Sequence, residues 1–143
     1  MKGVALGIAV LAQLSFFGCG KAGQLPASYC ATVAVHDPDE KHAEQKLIGI
    51  LNRFVHSNKF RLNGSAQGGT YEYTNRSGDV ALDVTFGMGD FGSVVTLFYH
   101  GAVGDKTRRD LDKFLMWQVS PVFPVRKCSD IPGFRNPEMY DTH

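Results

Sequence analysis

Apolar residues recur at two different periods along this chain, and the switches between them mark its elements. From residue 28 to 36 the pattern alternates weakly, with Ala31, Val33 and Val35 on one side of an extended segment. Ala43, Leu47, Ile50, Leu51 and Phe54 then follow at three- and four-residue steps, which is one apolar face of a helix. Glu40, Lys41, Glu44, Gln45 and Lys46 populate its other side. The stretch Asp37-Pro38-Asp39-Glu40 supplies a start signal: Asp37 can cap, Pro38 suits the first helical position, and Glu40 stands at the capping-box spacing. The spacing predicts a helix from Asp39 to His56.

From Lys59 the period changes to two. Phe60 and Leu62 lead into a turn-rich interval at 63–69, after which Tyr71 and Tyr73 share a face. A second turn at Asn75-Arg76-Ser77-Gly78-Asp79 precedes Val80, Leu82, Val84 and Phe86, alternating against Ala81, Asp83 and Thr85. Residues 93–100 are apolar on both faces, Val94 and Phe98 against Val95, Leu97 and Tyr99, as an interior strand requires. A second helix follows, with Asp105 or Thr107 as its cap and Asp110 at box spacing from Thr107. Leu111, Phe114, Leu115, Gln118 and Val119 mark its inner stripe, and Pro121 ends it. Short connections favour antiparallel pairing. The predicted class is α+β: an antiparallel meander sheet of roughly three to five strands packed against two helices.

The beginning of the chain carries a different signal. Met1-Lys2 is followed by an uncharged, mainly apolar run of 14 residues from Val4 to Phe17, ending in Gly18-Cys19-Gly20. A spanning helix needs about 20 apolar residues, so a short run behind one positive charge reads as an export signal. Phe16-Phe17-Gly18-Cys19 resembles the lipobox of bacterial lipoproteins, in which a small residue precedes a cysteine that is lipidated and becomes the mature N-terminus. Gly18 and Cys19 match that pattern; Phe16 stands where the family usually has leucine or another aliphatic residue. The resemblance implies an acylated Cys19 and a membrane anchor, and the absence of Asp at Gly20 leans towards the outer membrane. Ordinary cleavage after Ala22 or Ala27 is the alternative, and the Gly-Cys junction favours lipidation. The expected organisation is a signal peptide at 1–18, a lipidated terminus and tether at 19–28, one domain at 29–128 and an irregular tail at 129–143.

Charge and cysteine content sharpen this picture. Lys and Arg number 15 against 14 Asp and Glu; loss of Lys2 with the signal leaves 14 against 14, a balance that gives no electrostatic reason to expect nucleic-acid binding. Three cysteines are an odd count, but with Cys19 acylated, or removed by cleavage, Cys30 and Cys128 remain as a candidate disulfide in an oxidising compartment.

Chemistry-bearing motifs are sparse. Gly87-Met88-Gly89-Asp90-Phe91-Gly92 fits G-x-G-x-x-G, but a dinucleotide fingerprint needs a helix next and a strand is predicted, so the glycines read as a tight turn. The histidines His36, His42, His56, His100 and His143 form no H-x-x-x-H motif, and no C-x-x-C is present; neither a metal nor a cofactor is expected. No G-x-S-x-G elbow exists, and Asp110 and Asp112 point apart on a helix. Met88, Asp90 and Phe91 fall at a predicted hairpin tip and are the candidate contacts for a protein partner. These residues support the expectation of a lipid-anchored cell-envelope protein, facing the periplasm, with a small non-catalytic protein-binding domain. A periplasmic inhibitor or immunity protein neutralising a toxin or cell-wall hydrolase is one alternative. A small envelope hydrolase using His100 with Asp83 or Asp90 is another.

Overall fold

A computed structural model describes residues 25–35, 40–65 and 69–134. The lipobox with Cys19, the Asp37-Pro38 cap and the last part of the tail lie outside the described residues. Among the described residues six strands form one antiparallel sheet: β1 (Ala27–Val33), β2 (Arg61–Ser65), β3 (Thr70–Thr74), β4 (Val80–Thr85), β5 (Ser93–Tyr99) and β6 (Val125–Lys127). Helix α1 (Glu40–Ser57) joins β1 to β2, and α2 (Gly101–Phe114) joins β5 to β6, continuing as one π-helical turn at Leu115–Val119. The order across the sheet is β2-β3-β4-β5-β1-β6.

The meander is therefore β2 to β5, and two strands beyond it complete the sheet. β1 pairs with β5 along its whole length, Ala27 opposite Tyr99 and Val33 opposite Ser93. β6 adds three residues to the far edge of β1 and brings the count to six, above the expected range. Val125-Arg126-Lys127 is too short for an alternation to be legible, and it pairs with β1 where the chain returns beside it after α2.

Alternation places Ala31, Val33, Leu82, Val84, Val95 and Leu97 on the face that meets both helices, joined there by Leu47, Leu51, Leu111 and Leu115. The second face is buried too, with Cys30, Thr32, Ala81, Asp83, Val94, Thr96 and Phe98 nearly inaccessible. This is why β5 is apolar on both sides. Below β1 the chain is tied to the sheet by the Cys30–Cys128 disulfide (Cα–Cα 5.5 Å), and the 3-10 turn Cys128–Asp130 packs against β1.

Helix α2 begins earlier than its sequence signals suggest. It starts at Gly101 with His100 as N-cap, and no side chain caps it. Thr107 lies inside the helix, buried, with its hydroxyl donating to the Val103 carbonyl at 2.8 Å. Packing sets this start: Gly104 lies directly against the Tyr99 ring and Cβ. Asp105 and Thr107 were the expected caps, and the close helix–strand contact overrides them.

A polar node joins β1, α2 and β6. The Tyr29 hydroxyl donates to Asp112 Oδ1 at 2.8 Å, and Lys127 Nζ lies 3.4 Å from the same oxygen. Burial, then the hydrogen bond to Asp112 and the charge of that carboxylate, hold the Tyr29 phenol protonated well above the usual tyrosine range. A group whose folded pKa is raised contributes stability that is complete below its unfolded pKa and is lost as pH rises towards the folded one. The protein is thus expected to lose stability above a pH of about 10, the unperturbed tyrosine value. Tyr29→Phe should be less stable at neutral pH and show a flatter alkaline limb, as read by urea unfolding at a series of pH values. An alkaline limb as steep in Tyr29→Phe as in the parent would refute this role.

Candidate functional site

The sequence-predicted residues fall in three separate places. Met88, Asp90 and Phe91 lie in the β4–β5 connection, where a short 3-10 turn spans Gly89–Phe91. Gly87, Gly89 and Gly92 all take positive φ, so the G-x-G-x-x-G match is a turn followed by a strand. Gly92 is also pressed against β1: an added Cβ would stand 2.8 Å from both the Val33 oxygen and the Val35 nitrogen. Asp90 is exposed and Met88 half-buried. Phe91, 38% exposed, sets its ring edge-on against Phe134 with centroids 4.8 Å apart, so the tip is partly spent on the chain's own tail.

His100 does not meet either acid with which it was paired in the hydrolase reading. Its Nε2 lies 3.0 Å from Asp79 Oδ1 at one end of the sheet. Asp83 is buried midway along β4, opposite Thr96, and Asp90 lies past the other end of that strand. Among the described residues no group of three His, Cys, Asp or Glu side chains is placed to hold a metal ion.

The most site-like feature lies on the helical layer, at Trp117, outside the expected sites. In an α-helix of 3.6 residues per turn, successive four-residue steps drift around the axis. The buried stripe of α2 and its extension nevertheless runs Thr107, Leu111, Leu115, Val119. The π-helical turn reconciles the two: Ser120 N–H donates to the Leu115 carbonyl at 2.8 Å, five residues back, and the wider turn keeps Leu115 and Val119 on the core. The residues between them are pushed outwards. Met116 is 47% exposed, Trp117 is 78% exposed, and Gln118, expected inside, is on the surface. Phe114, also expected inside, is only half-buried.

Beside Trp117 is an open groove of about 530 Å³ between the helices. Phe54, Ser57 and Asn58 line it from the end of α1, and Lys106, Asp110, Lys113, Phe114, Trp117 and Gln118 from the other side. Phe54 and Phe114 pack at 5.4 Å, tilted by 49°, as its aromatic floor. Lys106 is held by Asp110 at 2.6 Å, a surface i,i+4 pair of small energetic weight. A tryptophan this exposed on a soluble surface is uncommon, because its large apolar area is costly in water unless something covers it. A sequence signal existed. Trp117 is the single tryptophan of the chain, and helical spacing put it on the polar side of α2.

No model of a known protein family matches the chain, and no curated protein is significantly similar to it. Among the described residues no helix is long and apolar enough to cross a membrane.

Proposed function

We propose that this chain is a lipid-anchored cell-envelope protein whose small α+β domain binds another protein without catalysis. The observation that carries the binding half is Trp117, 78% exposed at the edge of an aromatic-floored groove on the helical layer. Tryptophan is enriched among residues that dominate binding energy, and a groove beside it supplies the shape a partner side chain needs. The Gly18-Cys19 junction behind a short apolar run supports the anchoring half. The helical groove takes precedence over the Met88-Asp90-Phe91 tip, because Phe91 already has Phe134 as a partner.

Two measurements test the two halves separately. A photoreactive residue at Gln118 should capture one stoichiometric protein from envelope extracts, whereas the same residue at exposed Leu62, on the far edge of the sheet, should not. Identical capture at both positions would remove the binding reading. Trp117→Ala should weaken that capture by roughly 30-fold or more, the scale of a hot-spot truncation. The same change should leave unfolding within about 0.5 kcal/mol of the parent, as for other surface substitutions. Intact mass of the membrane-extracted protein should show acyl chains on Cys19, and an unmodified Cys19 would remove the anchor. If the captured protein is a toxin or cell-wall hydrolase, the inhibitor or immunity reading becomes the specific form of this function.

A further inference from the structure

The charged residues on the rim of the groove are not balanced: Lys106 and Lys113 stand against Asp110 alone. Ser57 Oγ donates to the Arg53 carbonyl at 2.7 Å, and Asn58 Nδ2 donates to the Phe54 carbonyl at 2.9 Å, so both are turned back onto the end of α1. The Asp110 carboxylate is engaged with Lys106. That leaves Lys113 as the lining cation with no ion pair among the described residues, beside the exposed Gln118 amide. An ammonium offers three donors and no acceptor, so what would complete this rim is an anion above an apolar floor.

We infer that the groove takes a carboxylate-bearing apolar segment of a protein partner: an aromatic or long aliphatic side chain on Phe54, Phe114 and Trp117, with a neighbouring carboxylate on Lys113. The inference rests on the domain being a binding module, and it specifies the chemistry that the module reads.

Placement along the fold favours a protein over the anchoring membrane as the occupant. Gly104 abuts Tyr99, the residue opposite Ala27, while Asp112 accepts from Tyr29 and Ala34 N–H donates to the Pro124 carbonyl. The order of these contacts shows that α2 runs in the same direction as β1. At 1.5 Å per residue Trp117 stands ~24 Å along from the start of α2. β1 begins at Ala27, beside that start, so Trp117 lies at the end of the fold away from the residues that follow the proposed anchor.

Trp117 is the only tryptophan, so the emission of the full chain reports the groove directly. Titration with N-acetylphenylalanine, a carboxylate, should give a saturable shift at low ionic strength. Its uncharged amide should bind roughly three-fold or more weakly, and the difference should vanish in Lys113→Met or at high salt. In the capture experiment from Gln118, Lys113→Glu should reduce the yield at least several-fold, and Lys113→Arg should retain it. Equal binding of acid and amide, together with capture indifferent to Lys113→Glu, would overturn the carboxylate inference and leave the binding reading standing. A blue shift with phosphatidylethanolamine–phosphatidylglycerol vesicles and none with N-acetylphenylalanine would overturn it in favour of a lipid surface. No saturable shift with either probe, and no capture at Gln118, would remove the groove as a site altogether.

Discussion

Opening the Cys30–Cys128 bond is expected to lower the unfolding free energy by ~4–5 kcal/mol, from the chain entropy released by a loop of nearly 100 residues. The bond spans 98 positions and encloses both helices, β2 to β6 and the second half of β1, so nearly the whole domain is constrained in the unfolded state. Domains have about 5–15 kcal/mol of stability in total, and the reduced protein would retain little margin. Urea unfolding followed by far-ultraviolet circular dichroism, with and without reductant, measures this. The slope against urea should also steepen on reduction, because the released chain exposes more surface when it unfolds. Cys30→Ala with Cys128→Ala should reproduce the loss. Alanine is preferable to serine at Cys30, which is buried on the second face of the sheet, where an unpaired hydroxyl would add its own cost. A change below about 1 kcal/mol in both forms would show that the enclosed loop is already ordered when unfolded.

Gly104→Ala is the second large effect, and its sign opposes the intrinsic preference of the helix. In an unconstrained helix, glycine to alanine gains about 0.5–1 kcal/mol. At Gly104 the new Cβ would stand 2.7 Å from Tyr99 Cβ and 3.0 Å from the ring, a contact that no rotamer change relieves, since Cβ does not move with χ1. Helix α2 must lift from β5, and overpacking of this kind costs ~1–3 kcal/mol or more. Gly49, exposed in the middle of α1 with nothing within 4 Å of an added Cβ, is the internal control. Gly49→Ala should raise the melting temperature and Gly104→Ala should lower it. Two substitutions of the same sign would mean that the α2–β5 contact is soft. Lifting α2 would also disturb the groove, whose Lys106 and Asp110 follow Gly104 within two turns.

The strongly periodic elements were legible because burial on one face leaves a fixed repeat. The first helix was expected at 39–56 and runs over Glu40–Ser57, and Val80, Leu82, Val84 and Phe86 all turn into the core. The doubly apolar β5 was read as interior, and it is fully buried. Non-local pairings left little trace. The three residues of β6 carry no period, the pairing of β1 with β5 joins residues 60 to 72 positions apart, and the start of α2 is set by Gly104 against Tyr99. The candidate site belongs to this second kind. Gln118 and Phe114 were assigned to the core by α-helical spacing; Gln118 falls within the π-helical turn and is exposed, and Phe114, just before it, is only half-buried.

By itself the sequence determined the class of fold, the two helices, most of the strand faces and the cysteine pair available for bonding. Those properties follow from local preference and from which positions must leave water. Only the tertiary structure decided that Cys30 meets Cys128, that β1 and β6 flank the meander, and that Trp117 overlooks a groove shared with Phe54, 63 residues earlier. Each of those depends on which surfaces pack together across long stretches of chain, and a one-dimensional pattern of polar and apolar residues does not encode that distance.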